Sequence, residues 1–115
     1  MSYPRRGEIY LVKLPGQPSD TKNRPALIIS IDVRNRLAND VIVIPLSTSL
    51  RPAPTHVELP AEEGGLKQTS MAKCEQITTL DKSFLLRGPF AGTVSPSIML
   101  EIEKAVQRAI GVVVL

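Results

Sequence analysis

Residues 40–49 read DVIVIPLSTS. Asp40 to Leu46 is the most β-branched run of the chain, and such residues suit the pleated, packed surface of a sheet. We read it as a strand, the third in chain order. Pro45 has no N–H to give to a ladder, which points to a sheet edge or a bulge near its end. Beyond the strand stand Ser47, Thr48 and Ser49, a row of hydroxyls. Whatever a neighbouring strand carries at the same end shares a site with them.

The preceding strand, Ala26 to Ile31, is apolar almost throughout and reads as central. Arg24 and Pro25 stand at its start. Proline drives the residue before it into extended geometry, so Arg24 is held at the boundary between a loop and a rigid strand. Its guanidinium is always charged, planar and shaped to grip a phosphate with two parallel bonds. Taken singly, such an arginine is more often a surface ion-pair partner, and Ser-Thr-Ser is ordinary turn chemistry. Placed together at one end of paired strands, they make a candidate phosphate site. Upstream, Gly7 to Leu14 alternates as a first strand with apolar groups on both faces. The loop after it, Pro15 to Asn23, is longer than most tight connections, and loops of that length are often functional.

Asp32 to Asn39 reads as one helical turn and Thr55 to Leu59 as a fourth short strand. Thr69 to Leu80 reads as one long bent strand or two collinear ones. Asp81 to Leu86 reads as a turn, with residues 87–94 as a short closing strand. Ser95 and Pro96 open a helix, a capping hydroxyl and then a proline where a missing N–H costs little. Ile98, Ile102, Ala105, Val106, Ala109, Ile110 and Val113 recur at helical spacing, and Gly111 is placed to end the helix. Glu103, Lys104, Gln107 and Arg108 are left for solvent. Short strands closed by one helix fit a small, strongly bent antiparallel sheet or barrel. The 115 residues read as a single domain spanning 1–115.

Composition excludes more than it selects. One Cys allows no internal disulfide, and with one His it makes no ordinary zinc site. Gly64 and Gly65 lack the Lys and Ser/Thr of a phosphate loop. No serine elbow or paired acids are visible. With no Trp, two Phe and two Tyr, an aromatic platform for nucleic acid is unexpected. The start has no continuous apolar signal region, and no stretch approaches the roughly 18 apolar residues of a membrane span. A cytoplasmic protein away from the membrane is expected. The net charge is +3, and residues 1–56 carry eight Lys/Arg against four Asp/Glu, a basic half suited to a polyanion.

RRGEIYLVKL, NRPALIIS, VIVIPLSTS, PTHVEL, GGLKQTSMAKCEQITTLDKSFL and the closing helix also follow a familiar order. In that series the chain resembles the MazF/PemK family of toxin endoribonucleases along nearly its whole length. The resemblance implies a mainly β (α+β) fold: a small SH3-like, CcdB-like antiparallel β-barrel with short helical turns and one C-terminal amphipathic helix. It implies a homodimer that cuts single-stranded RNA at short motifs, with no metal or cofactor, and is neutralised by a cognate antitoxin. It assigns catalysis to Arg24 and to Ser47, with Thr48 next door, and an RNA contact to Gln76. Asp20, Lys22, Asn23, Arg51 and His56 complete our candidate RNA contacts. The chain departs from the family pattern in its first loop, GQPSDTKN, which is shorter than usual and has Asp20 near a usual Glu. It also has Ser47 where Thr is commoner. The alternatives are a CcdB-like toxin that binds DNA gyrase without chemistry and a catalytically silent module that binds RNA or a partner.

Overall fold

The computed structural model describes residues 2–15 and 23–115. In chain order its elements are β1 (Ile9–Val12), β2 (Arg24–Ile28), α1 (Asp32–Leu37), β3 (Asp40–Ser47), β4 (His56–Leu59), β5 (Ser70–Lys73), β6 (Thr78–Asp81), β7 (Leu85–Arg87) and α2 (Pro96–Ala109). The strands run β4-β5-β3-β2-β1-β7, with β6 also on β3, and every pairing is antiparallel. Among the described residues β4 and β7 do not pair, so the sheet stays open where the expected barrel would close.

β3 organises the sheet. One of its edges takes β2; the other takes β6 along Asp40–Val43 and then β5 along Leu46–Ser47. The edge or bulge expected at Pro45 is therefore corrected: β3 is the most heavily paired strand. Pro45 is tolerated because it falls in the interval where β6 has ended and β5 has not begun. The same interval decides between the two readings of residues 69–80. They form two strands parted by a 3-10 turn, Cys74–Gln76, whose first N–H bonds the Thr55 carbonyl at 3.0 Å.

Successive side chains on a strand point to opposite faces, and here both faces are apolar. Ile9, Leu27, Ile44 and Leu46 pack on one side with Met99, Ile102 and Ala105 of α2. Tyr10, Val12, Ala26, Ile28, Val41 and Val43 pack on the other with Leu80. Each such aliphatic side chain contributes about 1.5–3 kcal/mol when buried. Gly64 belongs to the first core: a Cβ there would lie 2.6 Å from Ile9 Cδ1, which explains the diglycine without a phosphate.

The helix ends where Gly111 permits. Its φ of +89° lets its N–H reach the Arg108 carbonyl (3.1 Å) and the Val112 N–H reach Gln107 (2.8 Å), a Schellman closure. The apolar stripe outruns the core, since Ile110 is 70% and Val113 84% exposed. At the other end the Ser95 hydroxyl does not cap the helix. The Glu63 carboxylate instead accepts the Ser95 N–H at 2.9 Å and favours the positive end of the helix. Glu103, expected in solvent, pairs with Arg6, whose guanidinium also reaches the Ile29 carbonyl. Residues 88–94 follow β1 through single bonds, Phe90 to Ile9 and Val94 to Gly7, and form no strand.

A buried polar knot joins β2, α1 and β3. The Ser30 hydroxyl donates to Asn35 Oδ1, the Asn35 amide donates to the Ser30 carbonyl at 2.9 Å, and the Ile42 N–H donates to Ser30 Oγ at 3.0 Å. Asn35 is 0% exposed, so its removal leaves a void and unpaired groups together. Asn35→Ala is expected to cost about 3 kcal/mol, read from the urea midpoint. An unshifted midpoint would show that the knot adds nothing.

Candidate active site

The β2–β3 register brings two candidates together. Ala26 faces Pro45, Leu27 faces Ile44 and Ile28 faces Val43. Continued to the strand ends, it sets Arg24 opposite Ser47, on one face of the sheet. Both line a cleft of about 180 Å³ with Lys73 and Gln76, and Leu14 and Pro45 supply its apolar side. A second depression of about 330 Å³ shares Leu14, Pro45 and Gln76 and prolongs the cleft along β6. Arg24 and Lys73 are its charged lining residues, and no described carboxylate lines it. Two cations in a partly enclosed cleft favour an anion.

Ser47 does serve its turn: its Oγ accepts the Ser49 N–H at 3.1 Å. A hydroxyl that accepts still has its proton to donate, so the turn bond leaves Ser47 able to bind a phosphoryl oxygen. Thr48 goes elsewhere. One residue on, it lines a different pocket with Pro25 and Leu11. The structure thus groups Arg24, Ser47 and Gln76 and separates Thr48 from them.

Lys73 went unrecognised in the sequence. SMAK ends a mostly apolar run, and only the pairing of β5 with β3 and β4 turns its last side chain toward Arg24. A lysine three residues before Gln76 was the available signal.

His56 is braced. Its Nδ1 lies 2.7 Å from the Arg51 carbonyl, which only accepts, so Nδ1 donates. Its Nε2 lies 3.1 Å from Glu75, and Glu75 also accepts the Thr55 hydroxyl at 2.7 Å. These contacts tie the 51–55 loop to the turn that presents Gln76. Burial raises the Glu75 carboxyl, but bonds from Thr55, its own backbone and His56 outweigh burial and hold it below its ordinary 4.5. Cys74 is sealed in the core; burial and then the Glu75 charge push its thiol up to about 12, which removes it as a nucleophile near neutrality. Arg51 and Asn23 are exposed, Asn23 next to the cleft's arginine. Asp20 and Lys22 lie outside the described residues. Among the described residues, no three His, Cys, Asp or Glu side chains gather where a metal could sit, and no helix is long and apolar enough to cross a membrane.

Comparison with known proteins places the chain in a family. Residues 5–110 match the family model of the PemK-like, MazF-like toxin of type II toxin-antitoxin system. The chain is 36% identical over 111 residues to Endoribonuclease MazF of Staphylococcus epidermidis, covering 93% of this chain and 91% of that one. It is 34% identical over 85 residues to Endoribonuclease EndoA of Bacillus subtilis (strain 168), covering 70% and 73%. A solved endoribonuclease in complex with its cognate antitoxin, from mycobacterial species, superposes with a TM-score of 0.79 at 30% identity, covering 97% of this chain and 99% of that one.

The brace carries a pH signature. A carboxyl held below its unfolded value stabilises the fold above about pH 4.5, and that contribution is lost as pH falls through the lower folded value. Wild type is therefore expected to exceed Glu75→Gln in urea midpoint near neutrality, with the gap narrowing as pH falls below about 4.5. A gap of constant size across this range would contradict the brace.

Proposed function

The chain belongs to the PemK-like, MazF-like toxin family of type II toxin–antitoxin systems, and from that membership we infer an RNA-cleaving toxin, restrained by an antitoxin, whose reaction runs in the Arg24–Ser47 cleft. The observation that carries the site is the shared cleft of Arg24, Ser47, Lys73 and Gln76.

The substrate brings its own nucleophile. The 2′-hydroxyl of one ribose attacks the adjacent phosphorus, the bond to the 5′-oxygen breaks, and the products end in a 2′,3′-cyclic phosphate and a 5′-hydroxyl. The 2′-hydroxyl gives up a proton and the departing 5′-oxygen gains one. Negative charge builds on the phosphoryl oxygens between these events, and preorganised donors lower that barrier most. Arg24 meets this charge with a rigid fork of N–H groups, and Lys73 adds a second positive charge. The Ser47 hydroxyl donates to a phosphoryl oxygen and helps to align attack. Gln76 holds the neighbouring nucleotide through its amide. Arginine is too weak an acid and too poor a base to shuttle both protons, and His56 is committed to its brace. This is an enzyme that relies on charge and alignment.

We place the protein in the cytoplasm, where single-stranded mRNA is its substrate, as one domain over residues 1–115. A second copy is the proposed cover for the exposed Ile31, Val33 and Leu37 around α1. A gyrase-binding mode has no use for the cationic cleft.

Arg24→Ala, folded as wild type by circular dichroism, is expected to lower cleavage of a mixed-sequence RNA by about a hundredfold or more. Ser47→Ala is expected to lower it by about tenfold. An RNA with a single 2′-deoxyribose at the mapped cut site should resist cleavage there. If Arg24→Ala cuts at the wild-type rate, the cleft is not the active site.

A further inference from the structure

Another cavity lies behind the strand ends, on the opposite side from the Arg24–Ser47 cleft. It holds about 560 Å³, within the roughly 300–1,000 Å³ of small-ligand sites. Leu11, Leu66 and Phe90 form its wall, and the exposed Lys67 and Arg87 stand in its lining. No described carboxylate lines it. Pro25 and Thr48 also line it, and they are the immediate chain neighbours of Arg24 and Ser47. The two cavities are therefore parted only by the ends of β2 and β3.

Resting on the RNA-cleaving reading above, we propose that this pocket is a nucleotide subsite, which takes a base and phosphate of the substrate strand flanking the scissile linkage. An apolar wall with an aromatic ring accepts the flat face of any base. Two exposed cations suit the backbone of a single strand. The Thr48 hydroxyl gives the pocket a donor and acceptor for a base edge, so it bears on the cut motif as well as on affinity. Thr48 then acts in sequence choice, while Ser47 serves the chemistry. Pro25 and Thr48 in its lining adjoin Arg24 and Ser47 in the chain, so a strand passing round the ends of β2 and β3 reaches both, which argues for the substrate strand as its occupant.

The test uses the full chain and RNA oligonucleotides built around the mapped cut site, shortened one nucleotide at a time from each end. For wild type, removing the nucleotide that fills the pocket is expected to lower kcat/KM by roughly tenfold. The Lys67→Ala/Arg87→Ala double variant loses about as much on the longest RNA and shows no further step at that truncation. Its salt dependence on the longest RNA is shallower by up to about 1.4 in log–log slope. On the shortest RNA still cut, it matches wild type. A folded double variant with the wild-type truncation profile and salt slope overturns the proposal. So does one that cuts like wild type but escapes its antitoxin, because the pocket then belongs to the partner. A wild-type chain that cuts no RNA overturns the cleavage reading itself, so the two failures are distinct.

Discussion

The register of β2 against β3 fixes almost everything else. Because both faces of these strands are apolar, alternation alone does not distinguish this pairing from one slipped by a residue. Two local features do. The Ile29 N–H bonds the Ile42 carbonyl, so by alternation Ile44 and Leu46 turn their backbone groups toward β2 and Pro45 turns its nitrogen away. A one-residue slip would aim that nitrogen at β2, removing a ladder bond and leaving a buried carbonyl unpaired, a loss of roughly 1–3 kcal/mol. Ser30 Oγ adds the second lock by accepting the Ile42 N–H. The same slip would carry Arg24 off Ser47. Stability and site are thus set by one choice.

Placing the site at the strand ends resolves a conflict between charge and burial. Arg24 and Lys73 share a cleft, and taking charged groups out of water is costly. At the ends of β2 and β5 their stems can lie against Leu14 and Pro45 while their heads face water or an incoming phosphate. Deeper in the sheet the same pair would destabilise the fold. Further out, in a loop, water would screen them and positioning would be lost.

The strong elements were readable because local pattern and tertiary demand agree in them. The apolar runs of β2 and β3 admit little but strands, and Pro96, the spaced Ile98 and Ile102, and Gly111 mark both ends of α2. Misreadings arose where a distant partner decides. Pro45 looks like an edge residue unless one knows that β6 and β5 leave an interval beside it. Residues 69–80 alternate equally well as one strand or two; the Thr55 carbonyl, holding the Cys74 N–H, makes the break. The Ser95 hydroxyl looks like a cap until Glu63 is seen to take its N–H. In the candidate site, Arg24 was legible because Pro25 fixes its geometry locally. Lys73 was not, since its direction depends on a register three strands away from the first.

The division between Ser47 and Thr48 illustrates the same limit and shows what the scaffold contributes. Both carry hydroxyls, they are adjacent, and nothing local ranks one above the other. Strand parity assigns them to opposite sides, and β3 keeps its pairing through Ser47, whose partner is Met71. A reaction without a dedicated base depends on holding a few donors still, because misplacement of about 1 Å costs such sites roughly a hundredfold. The scaffold meets that demand from two directions. The sheet fixes Arg24 and Ser47 through their register, while His56, Thr55 and Glu75 pin the turn that carries Gln76. The histidine that a search for a general base would pick first thus serves better as a structural strut, because a ring bonded at both nitrogens holds geometry and gives up its freedom to move a proton.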